Sequence, residues 1–198
     1  MSKFPEDLRV YEHLMWVSQA NIVVELGAYR GGSALWFRDR LATMSHYGRI
    51  GRRFKVISVD IDVAASVRNV VMVDPKTTDI EFIQGDVQDE SVVGAVAQHV
   101  TDDDRCIVVE DSAHVYETTT AALNLYSRFV PQDGFFIVED GCVDIEEMRL
   151  RPHWPRGVIP AISDFLVSSQ GAAFAQRRDL ELYGLTCHPD GYLQRIST

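Results

Sequence analysis

Asn21-Ile22-Val23-Val24-Glu25-Leu26-Gly27-Ala28-Tyr29-Arg30-Gly31-Gly32-Ser33 is the stretch that decides the fold. A short β-branched apolar run ends in glycine, as a buried strand does. A glycine-rich turn follows, and residues 33–44 then carry Leu35, Trp36, Leu41 and Met44 close to helical spacing. The pattern recurs outward. Phe54-Lys55-Val56-Ile57-Ser58-Val59-Asp60 reads as a second strand, Ile80-Glu81-Phe82-Ile83-Gln84-Gly85-Asp86 as a third and Cys106-Ile107-Val108-Val109-Glu110-Asp111 as a fourth. Gly134-Phe135-Phe136-Ile137-Val138-Glu139-Asp140 is a fifth, and helices are expected at 91–100 and 116–129. Strands alternating with helices, apolar along nearly their whole length, imply a parallel sheet covered on both faces. After Asp140 the pattern changes: 141–160 holds three prolines and reads as a loop or lid, followed by a helix near 161–169. A strand near 174–178 and a hairpin around His188-Pro189-Asp190-Gly191 close the chain. The expected fold class is α/β, a Rossmann-like doubly wound, mostly parallel sheet with an antiparallel C-terminal hairpin. Residues 1–198 are read as one domain.

Composition narrows the function. Nineteen basic against 29 acidic residues give a net charge of −10, which opposes phosphate backbones and anionic lipid. Arg49, Arg52 and Arg53 are the only tight basic cluster, in a glycine-flanked turn. A small-molecule partner is expected, with no nucleic acid and no membrane. No apolar run approaches the roughly 20 residues of a membrane span, and Met1-Ser2-Lys3-Phe4-Pro5-Glu6-Asp7 has no apolar segment of a secretion signal. The three cysteines, Cys106, Cys142 and Cys187, are widely spaced and read as reduced thiols, so the expected location is cytoplasmic.

The chemistry-bearing residues fall at strand ends. Glu25, Asp60, Asp86, Asp111 and the Glu139-Asp140 pair occupy equivalent places, where doubly wound sheets bind ligands. A line of acids there is costly unless something cationic or hydroxyl-rich meets it. The first turn lacks the dinucleotide pattern G-x-G-x-x-G, because Glu25 stands two before Gly27. Gly27 lets the backbone approach a ligand, and Ser33 can assist a helix N-terminus. Asp60 can accept from ribose hydroxyls, and Asp86 with Gly85 can face a ribose or adenine edge. Asp111, Glu139 and Asp140 are hard oxygen donors on what should be adjacent strands, the type that favours Mg²⁺. His114, three residues after Asp111, can face the same cleft.

Glu-x-Gly-x-x-x-Gly-Gly-Ser, Val-Ile-Ser-Val-Asp-Ile-Asp, Gly-Asp, Glu-Asp-Ser-Ala-His and Phe-Ile-Val-Glu-Asp-Gly together resemble class I S-adenosylmethionine-dependent methyltransferases. More narrowly, the chain is similar to the cephalosporin hydroxylase-like group and the macrolide-sugar and rhamnosyl O-methyltransferases, over roughly 4–195. The resemblance implies S-adenosylmethionine on Glu25, Gly27, Ser33, Asp60, Gly85, Asp86 and Asp111. It implies Mg²⁺ on Asp111, Glu139 and Asp140, and His114 as general base. The metal would bind substrate hydroxyls and acidify the acceptor, and His114 would take its proton as the oxygen attacks the methyl group. A homo-oligomer is plausible by resemblance alone.

The expected function is Mg²⁺-assisted O-methylation of a sugar or other polyhydroxylated natural product. Three alternatives stand beside it: N-methylation of an amino sugar, a nicotinamide-dependent oxidoreductase, and a non-catalytic cofactor-binding subunit. Tyr29 and Tyr116 are further candidates to line the site, and His153 with Trp154 to touch substrate from the lid. His13, His46, His99 and His188 are read as structural.

Overall fold

The computed structural model describes residues 3–149 and 152–197. Its seven strands form one sheet in the order β3-β2-β1-β4-β5-β7-β6. The first five, β1 (Ile22–Leu26), β2 (Lys55–Asp60), β3 (Ile80–Gln84), β4 (Cys106–Glu110) and β5 (Phe135–Val138), run parallel. β7 (Tyr192–Arg195) is antiparallel to both its neighbours, β5 and β6 (Phe174–Gln176). Register sets the site: Leu26 lies opposite Val59 and Glu110, and Glu110 opposite Val138. Residues that follow these strands therefore emerge side by side along one edge.

Both faces are covered, as continuous apolar strands require. On one, Val92, Val93 and Val96 of α4 (Glu90–Ala97), Leu123 and Tyr126 of α5 (Tyr116–Tyr126), and Ile162 and Phe165 of α6 (Val158–Val167) pack on Ile22, Val24, Val108 and Phe136. On the other, Tyr11 and Leu14 of α1 (Pro5–Ser18) and Phe37 and Leu41 of α2 (Gly32–His46) pack on Val23, Val56, Ile107 and Ile137. Each such side chain contributes about 1.5–3 kcal/mol through removal from water.

Several expectations change. Helix α3 (Ala64–Val73) has no counterpart in the sequence reading, because it exposes Val67, Val71, Met72 and Val73 and buries only Ser66 and Val70. Its apolar residues do not mark a core-facing stripe. The expected hairpin is a turn in which the Gly191 amide donates to the His188 carbonyl at 2.9 Å. It lies at the end of the long β6–β7 connection, where His188 is buried. The expected lid contains two 3-10 turns, Gly141–Asp144 and Glu146–Met148, and α6 begins before its end. Residues 150–151 of that stretch lie outside the described residues. Among the described residues, no helix is long and apolar enough to cross a membrane.

Candidate active site

The turn after β1 is held by close backbone approach. Gly27 has φ +109°, and a Cβ on it would sit 1.9 Å from the Asp111 carbonyl oxygen. Only glycine fits where the β1 and β4 chains leave the sheet together. The same turn is anchored from β2: Asp60 Oδ2 accepts the backbone N–H groups of Ala28 at 2.9 Å and Tyr29 at 2.8 Å. Its Oδ1 accepts from Asp62 at 3.1 Å.

Two cavities share this turn. One, about 440 Å³, is lined by Gly27, Asp60, Ile61, Asp86, Val87 and Asp111 among others. The other, about 600 Å³, is bordered by Lys3, Arg30, Ser33, Asp111, His114 and Trp154 among others. Tyr29, 76% exposed, lines both. Both volumes suit small molecules. The first fits a nucleoside-bearing cofactor, with carboxylates of Asp60 and Asp86 at a wall otherwise set by Val59, Ile61 and Val87.

The expected residues divide. Gly27, Asp60, Asp86, Asp111 and Ser33 reach the cavities. Glu25 and Gly85 do not line them. Glu25 is fully buried in β1, where Ser58 Oγ donates to its Oε2 at 2.5 Å and Oε1 has no hydrogen-bond partner among the described residues. Burial pushes its carboxyl up to about 7, against the Ser33 and Ser58 hydroxyls. Gly85 instead lies against Val92, where a Cβ would meet a side-chain methyl at 2.4 Å. Tyr116 donates to Asp164 Oδ2 at 2.6 Å, and His153 is exposed.

The acid–histidine cluster departs from expectation in one respect. His114 Nε2 lies 3.3 Å from Asp140 Oδ2 and 3.7 Å from Asp111 Oδ1. These three residues bring ligand atoms within 4.8 Å of one another, two of them hard carboxylate donors and the third a borderline imidazole nitrogen. Glu139 falls in a different convergent set, with Asp140 and His188. Its carboxylate is 2% exposed and is held by Lys3 and by Tyr11, whose hydroxyl donates to Oε1 at 2.5 Å. The Lys3 ammonium also donates to Asp111 Oδ2 at 2.7 Å. Asp111 and Glu139 are thus bridged by the Lys3 ammonium. Burial first, and then the Glu139 charge, push the Asp111 carboxyl up to about 6 against Lys3 and His114; burial also raises Glu139. His114 and Asp140 both have positive φ, 55° and 57°, as does Tyr29 at 44°. Backbone held in this region costs about 1–3 kcal/mol per residue and clusters at functional sites.

Several participants were not identified from sequence. Lys3 and Tyr11 carried no signal beyond an ordinary lysine and a helix aromatic. His188 reads from sequence as a structural residue of a hairpin; it is buried, and its Nδ1 accepts the Asp140 backbone N–H at 3.1 Å. Burial lowers its pKa and favours the neutral ring. Asp7 of α1 accepts from Thr186 Oγ1 at 2.5 Å, Cys187 N at 3.0 Å and Tyr192 OH at 2.9 Å, which fixes α1 to the closing segment. Cys142 and Cys187, distant in sequence, have sulfurs that lie with an Asp140 oxygen inside 4.8 Å. Cys106 is remote from them in β4, its thiol pushed up to about 12 by burial.

The sheet order and the reversed seventh strand are the fold of the solved methyltransferase structures this chain resembles, and the family match over nearly its whole length makes it an S-adenosylmethionine-dependent methyltransferase. Residues 1–196 match the family described as Rhamnosyl O-methyltransferase/CmcI, and the chain belongs to that family. A rhamnosyl O-methyltransferase of Mycobacterium leprae (strain TN) is 25% identical over 201 residues, covering 98% of this chain and 79% of that protein. A solved structure described as cmcI-D160 with Mg and SAM superposes with a TM-score of 0.66 at 23% identity, over 100% of this chain and 74% of the other. MycE methyltransferase from the mycinamycin biosynthetic pathway, in complex with Mg, SAH and mycinamycin VI, gives a TM-score of 0.54 at 15% identity. That match covers 94% of this chain and 48% of MycE.

Proposed function

We propose that this chain transfers a methyl group from S-adenosylmethionine to a hydroxyl of a sugar or other polyhydroxylated small molecule, with His114 as the general base. The observation that carries this reading is the position of His114. It lies at the cavity bordered by Lys3, Arg30 and Trp154, and this cavity adjoins, through Gly27, Tyr29, Asp111 and Ser112, the one lined by Asp60 and Asp86. The proposal takes 1–198 as one domain in which the first cavity holds the donor and the second the acceptor.

The cofactor supplies an electrophilic methyl group, and a divalent ion, when bound, polarises the acceptor hydroxyl. The chain's own residues do the rest. Asp60 orients the Gly27–Tyr29 turn and leaves lone pairs for ribose hydroxyls, with Asp86 beside it. Ser33 borders the second cavity at the start of α2. Glu25 shapes the turn from behind through Ser58. Asp111, Glu139 and Asp140 would hold the divalent ion, and His114 the acceptor's proton. His114 would accept that proton at Nε2, where the cation formed faces the Asp140 and Asp111 carboxylates. A positioned base contributes roughly 10²–10⁴-fold.

Titration calorimetry of S-adenosylhomocysteine into the protein, with and without Mg²⁺ and with NADH as control, tests the donor half. Micromolar binding of the homocysteine ligand and none of NADH is expected; binding of NADH instead refutes it. For the base, His114→Ala should lower turnover about 10²–10⁴-fold on a sugar acceptor found by screening, with cofactor affinity unchanged. Undiminished turnover would remove His114 from the mechanism.

A further inference from the structure

We propose that Lys3 is a tethered cation that competes with a divalent metal ion for the Asp111–Glu139 carboxylate pair, so that metal binding displaces the Lys3 side chain from the site. The inference rests on the methyltransferase reading only in taking these carboxylates as metal donors.

Four observations support it. The Lys3 side chain is 4% exposed, so its ammonium is enclosed rather than waving at the surface. Its partners are Asp111 Oδ2 at 2.7 Å, Glu139 Oε2 at 2.5 Å and Glu139 Oε1. An ammonium has three donors, and three carboxylate oxygens receive them here. Lys3 also borders the second cavity beside His114, so it stands in the acceptor compartment and not behind it.

Competition follows from charge and space. An ion held by Asp111, Glu139 and Asp140 together would need oxygens that the ammonium now occupies. Two cations cannot share the gap, because like charges in a partly desolvated cleft repel strongly. The ammonium must therefore leave those oxygens when an ion takes them.

The backbone permits that motion. Lys3 lies ahead of α1, whose first residue is Pro5. α1 itself is secured by the three hydrogen bonds to Asp7 and by the buried Tyr11, whose hydroxyl stays on Glu139. Lys3 can thus swing without unseating the helix. Without metal, the ammonium relieves repulsion between the buried Glu139 and the cavity-facing Asp111 carboxylates; with metal, the ion takes over that role and the acceptor compartment loses a cationic wall.

Two measurements on the full chain test this. The first is calorimetric titration of Mg²⁺ into wild type and Lys3→Met, both saturated with S-adenosylhomocysteine. The variant, neutral and of similar length, should bind Mg²⁺ at least about tenfold more tightly. The second needs no variant: lysine acetylation with a water-soluble acetylating reagent, read by mass spectrometry. The chain has three lysines, Lys3, Lys55 and Lys76, and exposed Lys76 is the internal standard. Lys3 should react slowly without metal and approach the Lys76 rate when Mg²⁺ saturates the site. Equal Mg²⁺ affinity in the two proteins, or a Lys3 rate indifferent to bound Mg²⁺, overturns the proposal while leaving the metal reading intact. No Mg²⁺ binding to either protein, with homocysteine ligand bound to both, overturns the proposal and the metal reading together. If Lys3→Met fails to fold, the acetylation result decides alone.

Discussion

Glu25 gives the most quantitative test of the site's electrostatics. Its carboxyl is fully buried in β1, and burial raises its pKa from 4.5 to about 7. The unfolded chain would hold that proton only to the ordinary value. The native state therefore binds more protons than the unfolded state between pH 4.5 and 7, and stability falls as pH rises through that window. The full effect is about 3 kcal/mol, of which about 2–3 kcal/mol falls between pH 5 and 8. Glu25→Gln removes the titration and keeps an oxygen to accept from Ser58. It also puts an amide N–H₂ where Oε1 has no partner, a cost of about 1–3 kcal/mol that does not depend on pH. Differential scanning calorimetry of both proteins from pH 5 to 8 separates the two effects. The variant should melt lower than wild type at pH 5, and wild type should lose about 5–10 °C relative to it by pH 8, given about 2–4 °C per kcal/mol at this chain length. Asp111, Glu110 and Glu139 also have raised pKa values, but they are common to both proteins and cancel in the difference. A gap constant to within about 1 °C across the range would refute the reasoning.

Three further outcomes are expected. Gly27→Ala forces a Cβ onto the Asp111 carbonyl at a φ that alanine avoids, and should destabilise the fold by about 3 kcal/mol or more, read by urea unfolding. Asp60→Ala frees the Ala28 and Tyr29 amides and should weaken S-adenosylhomocysteine binding at least about tenfold in calorimetry, since bonds to a charged acceptor are each worth about 1.5–3 kcal/mol. Asp7→Ala leaves the Thr186, Cys187 and Tyr192 donors without their acceptor; hydrogen exchange of 186–192 should accelerate, with a stability loss of about 3 kcal/mol.

Much of the sheet was legible in the sequence because its strands are buried on both faces, so their apolar runs are nearly unbroken. The strand-end acids were legible for the same reason, since Asp60, Asp111 and Glu139 follow residues level with one another in β2, β4 and β5, whereas Glu25 lies inside β1 opposite Ser58. Helix α3 was not, since it packs through Ser66 and Val70 and turns Val67, Val71 and Val73 outward. The turn at Gly27 could be anticipated from glycine alone, but its anchoring by Asp60 could not, because that contact joins positions 32 apart or nearly so. Lys3 was invisible for a plainer reason. A lysine shows what charge it carries, while the partner of that charge depends on how α1 is laid across the sheet. His188 misled because His-Pro-Asp-Gly is a good turn, and it is one; the turn nevertheless packs inward on Asp140.

The clasp between Asp7 and the 186–192 segment has a consequence for the order in which the molecule can be completed. Asp111, His114 and Asp140 lie mid-chain and can reach the sheet edge early in synthesis. The helix that carries Tyr11 onto Glu139 is secured by residues made some 180 positions after it, and the amide of Asp140 waits for His188. Contacts of such sequence separation form late. A nascent chain would hold its strands and its acids well before it held a finished pocket, so any shortening that removes β7 should spare much of the parallel sheet and still abolish the site.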